Sequence, residues 1–442
     1  MKKLVALLLC LMMVVPATLA SAETAEGKVL NIWCWNDEFQ SRFNAYYPEV
    51  KEIAEDKSTT TLNDGTIVKW TINPNEDNNY QNKLDEALRA QESAAADDKI
   101  DIFLIEADYA LKYVDSPYTL DVKADIGLTD EDLAGQYKYT QEIATSADDK
   151  LKAVTWQATP GLFAYRRSIA KDVLGTDDPA EVQELLNSWD KFNAVAADAK
   201  AKGYLMTASE AATYRVFSNN VSEPWVDANN NLQIDPAIQT WMQQAKDFSD
   251  NGYTQDCDIW SDECTAQMFG EGKAMCYFGP AWYFNFSMGN AQDPDKGCPG
   301  DWAIIQGPQA YFWGGTWLLA AEGSDNPEML ADVFNAFTAN EDICTKLVEN
   351  ENQFTNNTNV NQKFAEDPNY GNAFLGGQND TAIFVELAKN IKFENKTQYD
   401  QLLSEKLPEY MLDYFTGKIT KEEALANFYT YVNDKYPAIV TP

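Results

Sequence analysis

The chain of 442 residues contains no histidine. Serine–histidine and cysteine–histidine catalysis are thereby excluded, as is the side chain that most often serves as general base near neutral pH. Zinc is disfavoured too, because no two cysteines have the short spacing of a metal knuckle and no imidazole completes a mixed set. Basic residues are scarce, with 34 Lys and Arg against 69 Asp and Glu, a net charge of −35. Such a surface repels nucleic acid and anionic lipid, and it favours a neutral or cationic ligand over a free anion. Beyond Val15 nothing approaches the roughly 18 uninterrupted apolar residues of a membrane span. No Gly-rich phosphate loop or dinucleotide fingerprint follows an expected strand, and internal repeats are missing, so neither a cofactor nor a repetitive surface protein is expected.

What is present begins with an export signal. Lys2 and Lys3 precede an apolar run from Leu4 to Val15, then Pro16 and a small-residue site at Ala20-Ser21-Ala22. This reads as a signal peptide over 1–22, with the mature chain starting at Glu23 and placed in the periplasm, outside the cell or at its surface. Cys10 lies mid-run behind Leu9, which argues for free export over a lipid anchor. Six cysteines remain: Cys34, Cys257, Cys264, Cys276, Cys298 and Cys344. Six thiols allow about 15 pairings, and sequence does not choose among them. Local bridges Cys257–Cys264 and Cys276–Cys298 are candidates, and buried free thiols are as good a reading.

Hydrophobic periodicity gives an alternating pattern. Val29–Trp35 reads as a strand ending at Asn36-Asp37, followed by helical spacing of Phe39, Phe43, Tyr46 and Tyr47 up to Pro48. Thr66–Asn73 is a second strand, Asp77–Ala96 an Ala-rich helix and Ile100–Ile105 a short apolar strand. Leu151–Trp156 and Gly161–Tyr165 are extended around Thr159-Pro160-Gly161. Helices are expected over 178–201, 236–250, 262–271, 398–415 and 420–434, and strands over Lys273–Phe278, Asp301–Ile305 and Trp313–Ala321. Asn326 or Asp325 caps a helix with Pro327 in its first turn. The fold class is α/β, and the alternation up to Tyr109 indicates an α/β lobe with a mainly parallel sheet, whose ligands meet loops at the carboxyl ends of its strands.

Two segments carry most of the functional signal. Gly272-Lys273-Ala274-Met275 leads through Gly279-Pro280 to Trp282, and Trp313 is followed by Gly314-Gly315 and Trp317. Flat aromatics therefore stand where glycines permit a tight, closely approached backbone. A Trp offers area to match the apolar face of a pyranose at low conformational cost. With Met275, Gly279 and Trp282 these segments resemble the family-1 extracellular solute-binding proteins of bacterial carbohydrate ABC importers, the group that includes maltose-binding proteins, and the resemblance runs over nearly the whole mature chain. It implies a two-lobed periplasmic-binding-protein type II fold with three crossings, near Gln157–Gly161, Gln309–Gly314 and Asn350–Asn356. The lobes would be 23–158 plus 313–350, and 159–312 plus 351–442. It further implies a non-enzymatic receptor, monomeric, that closes on a neutral di- or oligosaccharide and hands it to a membrane permease.

The expected ligand contacts combine both readings. Trp35, Asn36, Asp37 and Glu38 end the first strand, where an aromatic beside carboxylate and amide groups can stack a ring and chelate hydroxyls. Trp35 as core and Asp37 as helix cap are the plain alternative. Glu106, Asp108 and Tyr109 end the Ile100–Ile105 strand, and Trp156 and Gln157 stand at the first crossing. Arg215 offers a rigid fork of donors, with an ordinary salt bridge as its alternative. Trp260, Gly279, Trp282, Trp313, Gly314, Gly315 and, at the third crossing, Asn356 complete the set; Trp225 is a further aromatic in a polar setting. Asp227, Asn229, Asn231, Gln233 and Asp235 imitate a calcium loop, but Leu232 replaces the turn glycine and Ile238 the closing glutamate, so a polar hairpin turn is the better reading. A secreted glycoside hydrolase with paired carboxylates is the rival function, weakened because 69 acids produce such pairs by chance.

Overall fold

Runs rich in Val, Ile, Leu and Trp set the strands. The computed structural model describes residues 28–255 and 257–442, so the signal peptide and the start at Glu23 lie outside the described residues. In chain order the strands are β1 (Val29–Cys34), β2 (Val50–Ile53), β3 (Thr59–Leu62), β4 (Ile67–Ile72), β5 (Ile102–Glu106), β6 (Ala153–Val154), β7 (Gly161–Arg166), β8 (Leu205–Thr207), β9 (Ala274–Pro280), β10 (Trp302–Ile305) and β11 (Thr316–Ala320).

They form a seven-stranded sheet of order β2-β3-β4-β1-β5-β11-β6 and a four-stranded sheet of order β10-β7-β9-β8. Parallel pairing is confined to β4-β1-β5 in the first and to β8-β9 in the second; all other neighbours are antiparallel. The expectation of a mainly parallel sheet in the first lobe is corrected here. Hairpins such as β2-β3-β4 need only short turns, and β11 re-enters the first sheet against β5 in the antiparallel sense. The chain leaves the first sheet between Val154 and Gly161 and returns to it between Ile305 and Thr316.

Each sheet is buried on both faces, which is why β5, β7, β9, β10 and β11 read as unbroken apolar runs. Around the first sheet pack Leu30, Ile32, Phe39, Phe103, Trp317 and Phe337, and around the second Phe163, Tyr165, Phe192, Met275 and Phe278. A third cluster, with Trp241, Leu403, Leu407, Met411 and Phe428, joins helix Pro236–Asn251 to the tail helices Asp400–Phe415 and Lys421–Lys435. Each large apolar side chain so buried contributes about 1.5–3 kcal/mol.

Local chemistry explains where helices depart from expectation. The run over 178–201 is two helices, Pro179–Leu186 and Trp189–Ala201, because Ser188 turns extended and its hydroxyl accepts the Lys191 N–H at 3.3 Å. The helix expected over 262–271 ends at Ala266. There the chain folds back so tightly that a Cβ on Gly272 would stand 1.9 Å from the Gln267 carbonyl oxygen. Cys257 and Cys264 are disulfide-bonded, with Cα atoms 6.0 Å apart. The candidate Cys276–Cys298 bridge does not form: Cys276 is buried in the second sheet's core, while the Cys298 thiol points to the Met268 carbonyl. The calcium-like string is a turn. Asp227 spends its carboxylate on the Asn229 and Asn231 N–H groups and the Asn231 side chain, and Asp235 caps helix Pro236–Asn251.

Candidate functional site

The carboxyl ends of β1 and β5, the Gly314-Gly315 turn before β11 and the segment after β9 converge on one cavity between the two sheets, of about 420 Å3. Thirteen of the expected residues line it: Trp35, Asn36, Glu38, Glu106, Asp108, Tyr109, Gln157, Arg215, Trp260, Trp282, Trp313, Gly314 and Gly315.

Strand geometry places the carboxylates. Glu106 is the last residue of β5, and its Oε2 accepts the Asp108 N–H at 2.7 Å, bending the chain into a short 3-10 turn. Burial, and then the neighbouring Asp108 charge, push the Glu106 carboxyl well above the usual range. Asp108 receives both guanidinium nitrogens of Arg215, at 2.6 and 2.5 Å. The Arg215 guanidinium also stands 5.1 Å from the Trp313 ring centre. Burial works against its charge while Asp108 more than offsets that, so its pKa is raised. At the end of β1 the Glu38 carboxyl is likewise raised, chiefly by burial, although Arg42 opposes the shift and Gln157 hydrogen-bonds the side chain.

The aromatics are arranged edge to face. Trp35 meets Tyr80 at 5.7 Å and Tyr109 at 6.4 Å, Trp260 meets Trp313 at 5.4 Å, and Trp282 meets Phe286 at 5.2 Å. Such contacts hold the rings at fixed inclinations. Glycine is required at the turn between them. Gly314 has φ +67, and a Cβ there would lie 3.2 Å from both Glu106 Oε1 and Trp282 Nε1. Its carbonyl accepts the Thr159 hydroxyl at 2.7 Å, locking the turn. A wall that combines indoles with carboxylates, a guanidinium and amides suits a ligand with apolar faces and a polar rim.

Four expected contacts lie elsewhere. Trp156 is 0% exposed and packs on Phe39 with ring centres 5.0 Å apart, so it belongs to the first core. Asn356 is buried as a staple: its Oδ1 accepts the Tyr137 N–H and the Thr140 hydroxyl, and its Nδ2 donates to Gln136. Gly279 is inside β9, where its N–H donates to the Tyr311 hydroxyl at 3.0 Å and a Cβ would strike the Tyr283 ring at 2.6 Å. Asp37 is an exposed residue at the N-cap of helix Glu38–Tyr46 and makes no side-chain cap bond. Trp225 is also core, donating to Ser404 at 3.2 Å.

Five lining residues were not foreseen: Asn75, Phe286, Thr316, Gln401 and Glu405. Thr316 follows directly on the expected Gly314-Gly315. Gln401 and Glu405 are four residues apart on helix Asp400–Phe415, so they share one face. That spacing is visible in the sequence, but nothing in it says that this helix borders the cavity.

The architecture is that of the two-lobed periplasmic binding proteins. A crystal structure of an extracellular solute-binding protein of family 1 matches with TM-score 0.71 and 17% identity, covering 92% of this chain and 99% of that chain. The ABC-transporter-associated binding protein of B. animalis subsp. lactis Bl-04, solved with β-1,6-galactobiose, matches with TM-score 0.65 and 17% identity over 94% and 99%. The galacto-N-biose-/lacto-N-biose I-binding protein of Bifidobacterium longum, solved with lacto-N-biose, matches with TM-score 0.66 and 14% identity over 94% and 100%. No curated protein matches the chain by sequence. Residues 57–372 match the bacterial extracellular solute-binding protein family, and the chain belongs to that family. Among the described residues no helix is long and apolar enough to cross a membrane.

Proposed function

We propose that the protein captures a neutral di- or oligosaccharide in the cavity between its lobes and delivers it, chemically unchanged, to the membrane subunits of an ABC importer. The observation that carries this reading is the cavity wall itself, which combines Trp35, Trp260, Trp282 and Trp313 with Glu38, Glu106, Asp108, Arg215 and Gln157. Indoles take the C–H faces of sugar rings, and the polar groups take the hydroxyls. The ligands of the two bifidobacterial proteins, both disaccharides, point the same way.

The lobes in this reading are 23–158 plus 313–350 and 159–312 plus 351–442, joined by three crossings near 157–161, 309–314 and 350–356. The chain acts as a monomer, exported by a signal peptide over 1–22. Closure follows from contacts that a ligand makes with both lobes, since only such contacts shift an open–closed equilibrium.

Calorimetric titration against a panel of neutral di- and oligosaccharides, with product analysis of the same mixtures, tests the proposal. Tight binding with the saccharide recovered intact is the expected result. Steady release of monosaccharide would replace the receptor by the hydrolase, and silence across the panel would remove the saccharide.

A further inference from the structure

The cleft continues past Trp260. Beyond it lies a second cavity of about 450 Å3, to which Ala211, Tyr214, Asp258, Ile259, Ser404 and Glu409 contribute. Its wall and that of the first cavity have four residues in common: Arg215, Trp260, Trp313 and Glu405. Two indoles, a guanidinium and a carboxylate therefore form a partition between two compartments of one cleft.

The partition is built to hold its place. Trp260 is 48% exposed, yet it stands in the loop closed by the Cys257–Cys264 disulfide. The Ser209 hydroxyl donates to the Cys257 carbonyl and the Tyr277 hydroxyl to the Cys264 carbonyl, each at 2.7 Å, so both ends of the loop are tied to the second lobe. Within the loop the Trp260 N–H donates to Asp258 Oδ1 at 2.8 Å. An exposed indole on a pinned loop loses little freedom when a ligand arrives.

Given the saccharide reading above, we infer that the ligand is a chain of at least three sugar units, and that its terminal unit passes Trp260 into the second compartment. Each compartment falls within the range of about 300–1,000 Å3 that houses a small ligand. A disaccharide occupies one of them; a chain that engages both is longer. The direction is set by the lining. A larger space of about 790 Å3 also adjoins the first cavity, at Asn75, Tyr109, Gln401 and Glu405, but it is lined by Lys112, Lys406, Lys435 and tyrosines with no indole, whereas Trp260 and Trp313 flank the partition.

The test is titration of the protein with linear α-gluco-, β-gluco- and β-galacto-oligosaccharides of two, three and four units. In the series that binds, affinity should rise at least tenfold from two to three units. Ala211 lines the second compartment and not the first. Ala211→Trp should fill the second compartment and abolish that gain, leaving the disaccharide Kd within about twofold. Ile259→Trp serves the same purpose should Ala211→Trp lower the melting temperature. Affinity indifferent to chain length, or a gain that survives both fillers, overturns the second compartment alone. Absence of binding by every saccharide overturns the functional reading on which it rests.

Discussion

Asp108 and Arg215 close a two-pronged ion pair across the cleft, 2.6 and 2.5 Å long, one partner following β5 of the first sheet and the other on helix Tyr214–Asn219 beside the second. Both also line the candidate cavity. In the proposed reading the pair combines the salt-bridge and ligand-contact roles, with the planar Arg215 fork standing over Trp313. Arg215→Ala should weaken saccharide binding by at least about tenfold, equivalent to about 1.4 kcal/mol. Arg215→Lys should not restore it, because an ammonium is a point charge without the planar fork that donates to both Asp108 oxygens in parallel while stacking on an indole. Calorimetry on the two variants decides; wild-type affinity in the lysine variant would refute the role given to the fork.

The tryptophans divide into two groups with different expected phenotypes. Trp282→Ala or Trp313→Ala should cut affinity by ~10-fold or more while denaturation midpoints move little, as expected when a contact worth about 1–3 kcal/mol is lost. Trp156→Ala should do the reverse. It removes a fully buried ring from the first core, at a cost of about 3–5 kcal/mol, with affinity of the folded fraction retained. Urea denaturation beside titration separates the two patterns.

Gly314→Ala should damage the site more than the fold. The left-handed φ of +67 costs an alanine about 1 kcal/mol, and the new methyl would press on Glu106 Oε1 and Trp282 Nε1, both 3.2 Å away. Loss of saccharide affinity with only a small drop in melting temperature is the expected outcome. Unchanged affinity would show that neither neighbour needs its present position.

Glu106 makes the protein's stability depend on pH in a defined direction. Its folded carboxyl titrates well above the ordinary value of 4.5 because burial disfavours the charge. Below 4.5 folded and unfolded chains both hold the proton, and the group's contribution is intact. As pH rises past 4.5 the unfolded chain ionises first, and stability is lost progressively toward the folded pKa. Glu106→Gln keeps an oxygen for the Asp108 N–H and cannot ionise. Its stability should match the wild type in acid and exceed it increasingly as pH climbs; a difference constant with pH in denaturation curves would contradict this.

The carboxyl ends of β1 and β5 were legible to within a residue because their apolar runs stop at Asn36-Asp37 and at Glu106, whereas β11, expected from Trp313, begins only after the glycine pair, at Thr316. That fixed most of the cavity wall from sequence. Trp156 and Gln157 show where such reading fails. Trp156 stands in a bend and is buried on Phe39, while Gln157, next in the chain and bridged to Thr355, lines the cavity. Nothing local says which of two neighbours faces the core. Asn356 was misread for a related reason, since an amide can staple three backbone and side-chain partners as readily as it can meet a ligand. Phe286, Gln401 and Glu405 come from segments whose place depends on tertiary packing alone.

The seven-stranded sheet cannot be finished in the order in which the chain is made. Among the described residues β6 pairs only with β11, and β11 lies on the far side of the whole four-stranded sheet in sequence. A growing polypeptide that has not yet produced Thr316–Ala320 leaves β6 stranded and one edge of β5 bare. Such long-range strand pairing delays cooperative folding until late in synthesis. If the chain is exported as proposed, a sheet that closes only once Thr316–Ala320 exists leaves most of the polymer still unlocked while it crosses.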